Sequence, residues 1–194
     1  MNFKPCRECG LPNVNEKVHY FHFLKSYDDR KQHRKRHPRN LQALQVSHRI
    51  SKTKVSGKPM AGFPPALISR EIDEKRQLKL IINGEIACVW AITYNDPEIW
   101  EDDDGESFVY IHRIATNPDF RGNNFVQIIV DWAKDFAKNK KSIRMDTCGE
   151  NRKLIQHYQN CGFDFLGIRK LKSASNLPAH YQNADVCYFE IKLL

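Results

Sequence analysis

From Leu78 onward the apolar positions change period several times, and each change marks an element. Leu78–Ile82 and Ile86–Tyr94 read as strands joined by Asn83-Gly84, a pair that accepts positive φ at both turn positions and so predicts a tight hairpin. The second strand is apolar nearly throughout, which suits a central position with both faces covered. Asn95–Gly105 reads as an acidic loop holding Trp100 and the consecutive acids Glu101–Asp104. Phe108-Val109-Tyr110-Ile111 opens a strand by its β-branched and aromatic content, and Asn117-Pro118-Asp119 stops it as a turn. A helix is predicted from about Gly122 to about Asn139, because Phe125, Ile128, Ile129, Trp132, Ala133 and Phe136 recur at three- and four-residue steps. Ser142–Thr147 reads as a strand, and Asn151–Cys161 as a helix with Leu154, Ile155 and Tyr158 on one face. Gly162 follows where a left-handed cap belongs. Phe163–Leu171 is the next strand, a polar loop with Pro178 comes after it, and Val186–Ile191 is the last strand. Upstream, Ala66–Lys75 reads as a short helix with the apolar stripe Leu67, Ile68 and Ile72. Strands interleaved with helices predict an α/β (mixed α+β) domain over residues 66–194.

Residues 1–65 carry weaker patterns. Cys6-x2-Cys9 and His19-x2-His22 resemble a zinc site in residue type. The gap between the pairs is shorter than zinc fingers use, so Val18–Leu24 is read as an ordinary apolar segment and no metal is expected. Arg30–His37 is a dense basic run with no interleaved aromatic, which favours a solvated face over a platform for nucleic acid. Residues 47–65 are rich in Ser, Lys, Gly and Pro and read as loop.

Charge sharpens this division. The formal net charge of +8 belongs to the first third: residues 1–60 hold 14 Lys/Arg against 4 Asp/Glu, whereas residues 61–194 hold 17 against 19. The basic balance therefore describes the N-terminal segment and not the body. A hydrophobic content of 41% fits a globular protein, and no apolar run approaches a membrane span. Six cysteines and no signal-peptide pattern lead to an expectation of reduced thiols and a cytoplasmic address.

The chemistry concentrates where the strand ending at Thr116 turns into the helix that starts near Gly122. The first amides of a helix have no partner within it and carry partial positive charge, and Arg121 adds a full one. A strand, a Gly/Asn turn and a helix N-terminus make an anion site of the kind that holds a pyrophosphate.

Three features in order, with strands between them, carry a resemblance. They are Ile114-Ala115-Thr116-x-Pro118-x-x-Arg121-Gly122, Asn151 opening the next helix, and Tyr158-x-x-Cys161-Gly162-Phe163. Residues 78–194 resemble the GCN5-related N-acetyltransferase superfamily. The resemblance implies a twisted mixed sheet flanked by helices, with acetyl-CoA as co-substrate held where two central parallel strands splay. It places the pantetheine arm along Ile114, Ala115 and Thr116, and the pyrophosphate on Arg121, Gly122, Asn123, Asn124, Phe125 and Val126, with Asn151 and Tyr158 nearby. The family pattern has small residues where this chain has Asn124 and Val126. Asn tolerates left-handed backbone, whereas Val126 crowds the approach.

By the same resemblance Tyr158 is the general acid for the leaving thiolate, and an amide near Ile114 is a donor to the developing oxyanion. A protonated amine needs a base, and His112, two residues before Ile114, is the first candidate. Asp146 at the end of the next strand is the second. Cys148 is read as structural, because the family transfers directly to the amine. The expected partner is a small-molecule or peptide amine, with no membrane and no nucleic acid, and the expected state is a monomer or homodimer. A cationic acceptor is favoured by the acidic 95–105 loop. Alternatives are transfer of another acyl group, a degenerate CoA-binding regulatory module, and a nucleic-acid-associated protein that uses the basic run.

Overall fold

The computed structural model describes residues 18–23, 54–55, 58–59, 65–101, 107–171, 177 and 179–193. The cysteine pair Cys6/Cys9, the basic run and Asp102–Asp104 lie outside the described residues. Among those described, the strands are β1 (Val18–Phe23), β2 (Lys54–Val55), β3 (Lys58–Pro59), β4 (Gln77–Ile82), β5 (Glu85–Thr93), β6 (Phe108–Thr116), β7 (Ser142–Cys148), β8 (Asp164–Lys170) and β9 (Asp185–Lys192). The helices are α1 (Pro65–Asp73), α2 (Pro97–Trp100), α3 (Phe125–Phe136) and α4 (Arg152–Asn160). A mixed sheet runs in the order β1-β4-β5-β6-β7-β9-β8, and β2 and β3 pair separately. The expected α/β class with a mixed sheet flanked by helices is therefore what the chain forms.

The chain divides into two compact units, residues 1–91 with 113–123, and residues 92–112 with 124–194. In the first unit, β4 and β5 form the expected hairpin, with Asn83 at φ 51° and Gly84 at φ 82°. The segment Val18–Phe23 is a strand whose pairing with β4 is antiparallel, from Val18 opposite Ile82 to Phe23 opposite Leu78. α1 packs Ile72 against Ile86 and Val89 of β5 and Ala115 of β6. Its buried Glu71 holds the guanidinium of Arg113. Arg113 itself sits at φ 52° inside β6. A non-glycine residue there marks a local break in the pleat, the geometry by which a bulge bends a strand.

In the second unit, β7 pairs parallel with β6 and antiparallel with β9, and β8 forms the edge beyond β9. α3 buries Phe125, Ile129, Val130, Trp132 and Ala133. It begins at Phe125, three residues after the predicted start, because Pro118–Phe120 forms a separate 3-10 turn and Asn124 caps the helix from left-handed backbone. α4 ends in a Schellman arrangement. Phe163 N–H donates to Tyr158 C=O at 3.1 Å, Gly162 N–H donates to Gln159 C=O at 2.9 Å, and Gly162 takes φ 97° as its position predicts.

The acidic segment differs from the expected plain loop. Asp96-Pro97 starts the one-turn helix α2, whose Ile99 and Trp100 are buried. Proline at the first helical position has a preset φ and no amide to leave unpaired, which explains the start. Trp100 packs edge-on against Tyr110 at 5.9 Å and Tyr188 at 5.0 Å. The hydroxyl of Tyr188 donates to the carbonyl of Ile99 at 2.8 Å.

Candidate active site

The parallel pairing of β6 with β7 covers Phe108–Ile111 opposite Ser142–Met145 and ends there. β6 runs on to Thr116 and β7 to Cys148. The next residues of the two strands are His112 and Asp146, the two histidine and carboxylate candidates singled out in the sequence. His112 Nδ1 lies 4.0 Å from Asp146 Oδ1. On the other side of the ring, His112 Nε2 lies 3.6 Å from Asp96 Oδ2. Tyr110, one face-sharing position back on β6, stacks on the imidazole at 6.4 Å and 17°.

Asp146 has the least ordinary environment in this group. Its side chain is 1% exposed. The hydroxyl of Tyr181 donates to its Oδ2 at 2.8 Å. Below lies the apolar cluster of Ile99, Trp100, Phe108, Tyr110, Leu171, Val186 and Tyr188. Removal from water disfavours the charged carboxylate, so burial pushes Asp146 up from 3.8 to about 6, with the Tyr181 hydrogen bond acting the other way. The same burial, then the neighbouring carboxylate, hold the Tyr181 phenol well above its usual range. Cys148 is pushed up to about 12 by burial first and by Asp146 second, so its thiol is protonated and no nucleophile at neutral pH. The structural reading of Cys148 fits that state.

This environment has a testable cost. A carboxyl with a higher pKa in the folded than in the unfolded chain destabilises the fold when ionised. The penalty is complete above about pH 6 and disappears as pH falls towards 3.8. Asp146→Asn is therefore expected to raise stability at pH 7.5 by about 1–3 kcal/mol, with the gain shrinking towards pH 4.5. Urea unfolding at the two pH values checks it; a loss of stability at pH 7.5 would refute the penalty.

Tyr158 is buried in α4, with its ring edge-on to Phe189 at 5.2 Å and Phe163 at 6.2 Å. Asn151 caps α4, its side chain accepting from Leu154 N–H at 3.2 Å. In the turn before α3, Gly122 takes φ 85° and Asn124 φ 48°. The sequence reading of Asn124 as a residue able to take the left-handed conformation matches this backbone. The Cys161 thiol donates to Asn124 Oδ1 at 3.6 Å. Arg121 and Asn123 are exposed, and Asn123 Nδ2 donates to Phe120 C=O at 2.8 Å. Val126 is half-buried, as are Ile114, Ala115 and Thr116 on β6.

Two members of the His112 group escaped the sequence reading. Asp96 had a local signal, since Asp-Pro before an apolar pair is a helix start. Tyr181 had none: it reaches Asp146 from a 3-10 turn, Ala179–Tyr181, inside a polar loop.

The chain belongs to the acetyltransferase (GNAT) family, whose family model matches residues 64–163. It is 30% identical over 74 residues to the uncharacterised N-acetyltransferase YesJ of Bacillus subtilis, a match covering 37% of this chain and 41% of that relative. In fold it is similar to a GNAT-family acetyltransferase from Listeria monocytogenes, with a TM-score of 0.59 at 20% identity over 79% of this chain and 87% of that one. It is also similar to YncA of Salmonella typhimurium, solved with its cofactor acetyl-CoA, with a TM-score of 0.57 at 10% identity over 78% and 87% of the two chains.

Proposed function

We propose that residues 66–194 transfer the acetyl group of acetyl-CoA to an amine, with residues 1–65 supplying a basic segment and the strand β1 that pairs with β4. The observation that carries this reading is the His112–Asp146 pair at the point where β6 and β7 stop pairing. A base set between two carboxylates there suits an acceptor that arrives as an ammonium ion and must lose a proton before it attacks. Asp96, 3.6 Å from His112 Nε2, adds negative charge beside that nitrogen. The favoured acceptor is therefore a cationic primary amine, free or on a peptide.

The turn before α3 fits the co-substrate. Gly122 and Asn124 take positive φ just ahead of a twelve-residue helix, whose first amides have no partner within it and can receive an anion. Arg121, Gly122, Asn123, Asn124, Phe125 and Val126 would hold the pyrophosphate, with Ile114, Ala115 and Thr116 along the pantetheine arm. When bound, acetyl-CoA supplies an activated thioester carbonyl. His112 takes the amine's proton, directly or through a water. Tyr158 gives a proton or hydrogen bond to the leaving sulfur, and its aromatic neighbours fix its ring. Asp146, the second candidate base, stands behind His112.

Calorimetric titration with acetyl-CoA tests the cofactor assignment. We expect micromolar binding by the full chain, and about tenfold weaker binding for Arg121→Ala, because a charge-assisted hydrogen bond to phosphate is lost. No binding by the full chain would mean that Val126 closes the approach, and the reading of a degenerate regulatory module would replace this one. Among the described residues no helix is long and apolar enough to cross a membrane.

A further inference from the structure

We propose that Tyr181 and Asp146 act as a positioning pair that fixes the tautomer of His112, holding the proton on Nδ1 so that Nε2 faces the acceptor. The proposal rests on the reading of His112 as the base.

Three observations support it. The first is the division of labour between the carboxylate oxygens of Asp146. Oδ2 accepts from Tyr181 at 2.8 Å, while Oδ1 is buried, has no hydrogen-bond partner among the described residues and lies 4.0 Å from His112 Nδ1. A buried, unsatisfied carboxylate oxygen is costly, and an Nδ1–H on His112 would give it a donor. Such contacts are often long before substrate arrives.

The second is the placement of Tyr181. It lies in the 3-10 turn Ala179–Tyr181, and the loop is tied down around it: Ala184 N–H donates to Tyr181 C=O at 3.1 Å, and Leu171 N–H donates to Ala184 C=O at 2.9 Å. The ring packs against the apolar cluster under the site. With Tyr181 bonded to one oxygen, the carboxylate cannot turn that oxygen towards the imidazole.

The third is the asymmetry of the two acids that flank His112. Asp146 is 1% exposed and Asp96 13%. The buried acid is suited to hold an N–H permanently; Asp96 is the less buried of the two, although its Oδ2 and His112 Nε2 are themselves buried. Around this pair stand Asp96 from the turn before α2, Cys148 from β7, Tyr188 from β9 and Tyr181. The thiol and both phenols are held neutral at pH 7 by burial, whereas Asp96 is a further carboxylate beside His112.

The deciding measurement is the nitrogen-15 spectrum of His112 in the full chain, without acetyl-CoA or amine, assigned with His112→Gln. The expected result is a neutral imidazole protonated mainly on Nδ1, the minor form of free histidine. Tyr181→Phe, which keeps the ring, should move the population towards the Nε2 tautomer, and Asp146→Asn should do the same. A wild-type His112 protonated mainly on Nε2, or a population that neither substitution changes, overturns the proposal. Turnover gives a second readout: Tyr181→Phe should lower kcat about tenfold, shift the acid limb of its pH profile upward and leave acetyl-CoA affinity unchanged. A tenfold loss with an unmoved limb would mean that Tyr181 only supports the fold, and would count against the proposal. Because the spectrum needs no turnover, absence of acetylation with every amine would refute the acetyltransferase reading without touching the tautomer.

Discussion

Tyr158→Phe is expected to lower turnover by about a hundredfold or more, with acetyl-CoA affinity nearly unchanged. The size follows from what a positioned general acid contributes, typically 10²–10⁴ in rate. The substitution removes one oxygen and nothing else. Tyr158 packs by its ring, edge-on to Phe163 and Phe189, and phenylalanine keeps both contacts. The Schellman cap uses the backbone carbonyl of Tyr158, which the substitution also keeps. This separates the two roles the residue can have. A loss of turnover at constant affinity belongs to an interaction made in the transition state, whereas a packing role, which phenylalanine keeps, would leave turnover intact. Unchanged kcat would return Tyr158 to the aromatic core and leave the leaving sulfur to solvent.

What could be read in advance divides along a physical line. Features fixed by a few neighbouring residues were legible. Asn83-Gly84 needs positive φ at both positions to close a hairpin, and Asn83 and Gly84 take it. Gly162 ends α4 because a left-handed residue lets Phe163 reach back to Tyr158. Asn124 stands where the family pattern has a small residue, and it adopts left-handed backbone there. The candidate bases His112 and Asp146 were singled out separately, each from its place near a strand end. Their proximity depends on the parallel register of β6 and β7, with Tyr110 opposite Arg144 and Ile111 opposite Met145. Residue types do not show that register.

The illegible part was what loops bring to a site. Asp96 sits beside His112 because the buried Trp100 anchors a one-turn helix. Tyr181 reaches Asp146 across 35 residues of sequence. Arg144 was also unforeseen. Its guanidinium lies 3.5 Å over the Phe108 ring and 4.6 Å over Trp100, and its Nε donates to Glu190 at 2.9 Å. An arginine on a strand reads as a solvated face until its partners on β9 and α2 are known. Charge patterning puts the basic excess in the first third of the sequence, whereas the acids beside His112 are two single residues, Asp96 and Asp146.

Replacing His112 by alanine is the change expected to cost most. A general base contributes on the order of 10²–10⁴ in rate, and the loss should fall on kcat, since no part of the proposed acetyl-CoA contact set is removed. The wild-type profile of kcat/KM for the amine should fall on the acid side of neutrality. Asp146 beside the imidazole is pushed up to about 6 by burial. The pair then titrates as a unit: as pH falls, one of the two takes up a proton and the base is lost. In His112→Ala the remaining activity should rise with pH without that limb, because deprotonation of the amine by solvent becomes the controlling step. The substitution also removes the ring stacked on Tyr110. His112→Gln, which keeps much of the bulk, should therefore show the same loss of the limb; if it alone preserved the limb, the effect of alanine would be one of packing. An unchanged profile in both variants would assign the base to Asp146, and Asp146→Asn would then have to abolish the limb that His112 does not carry.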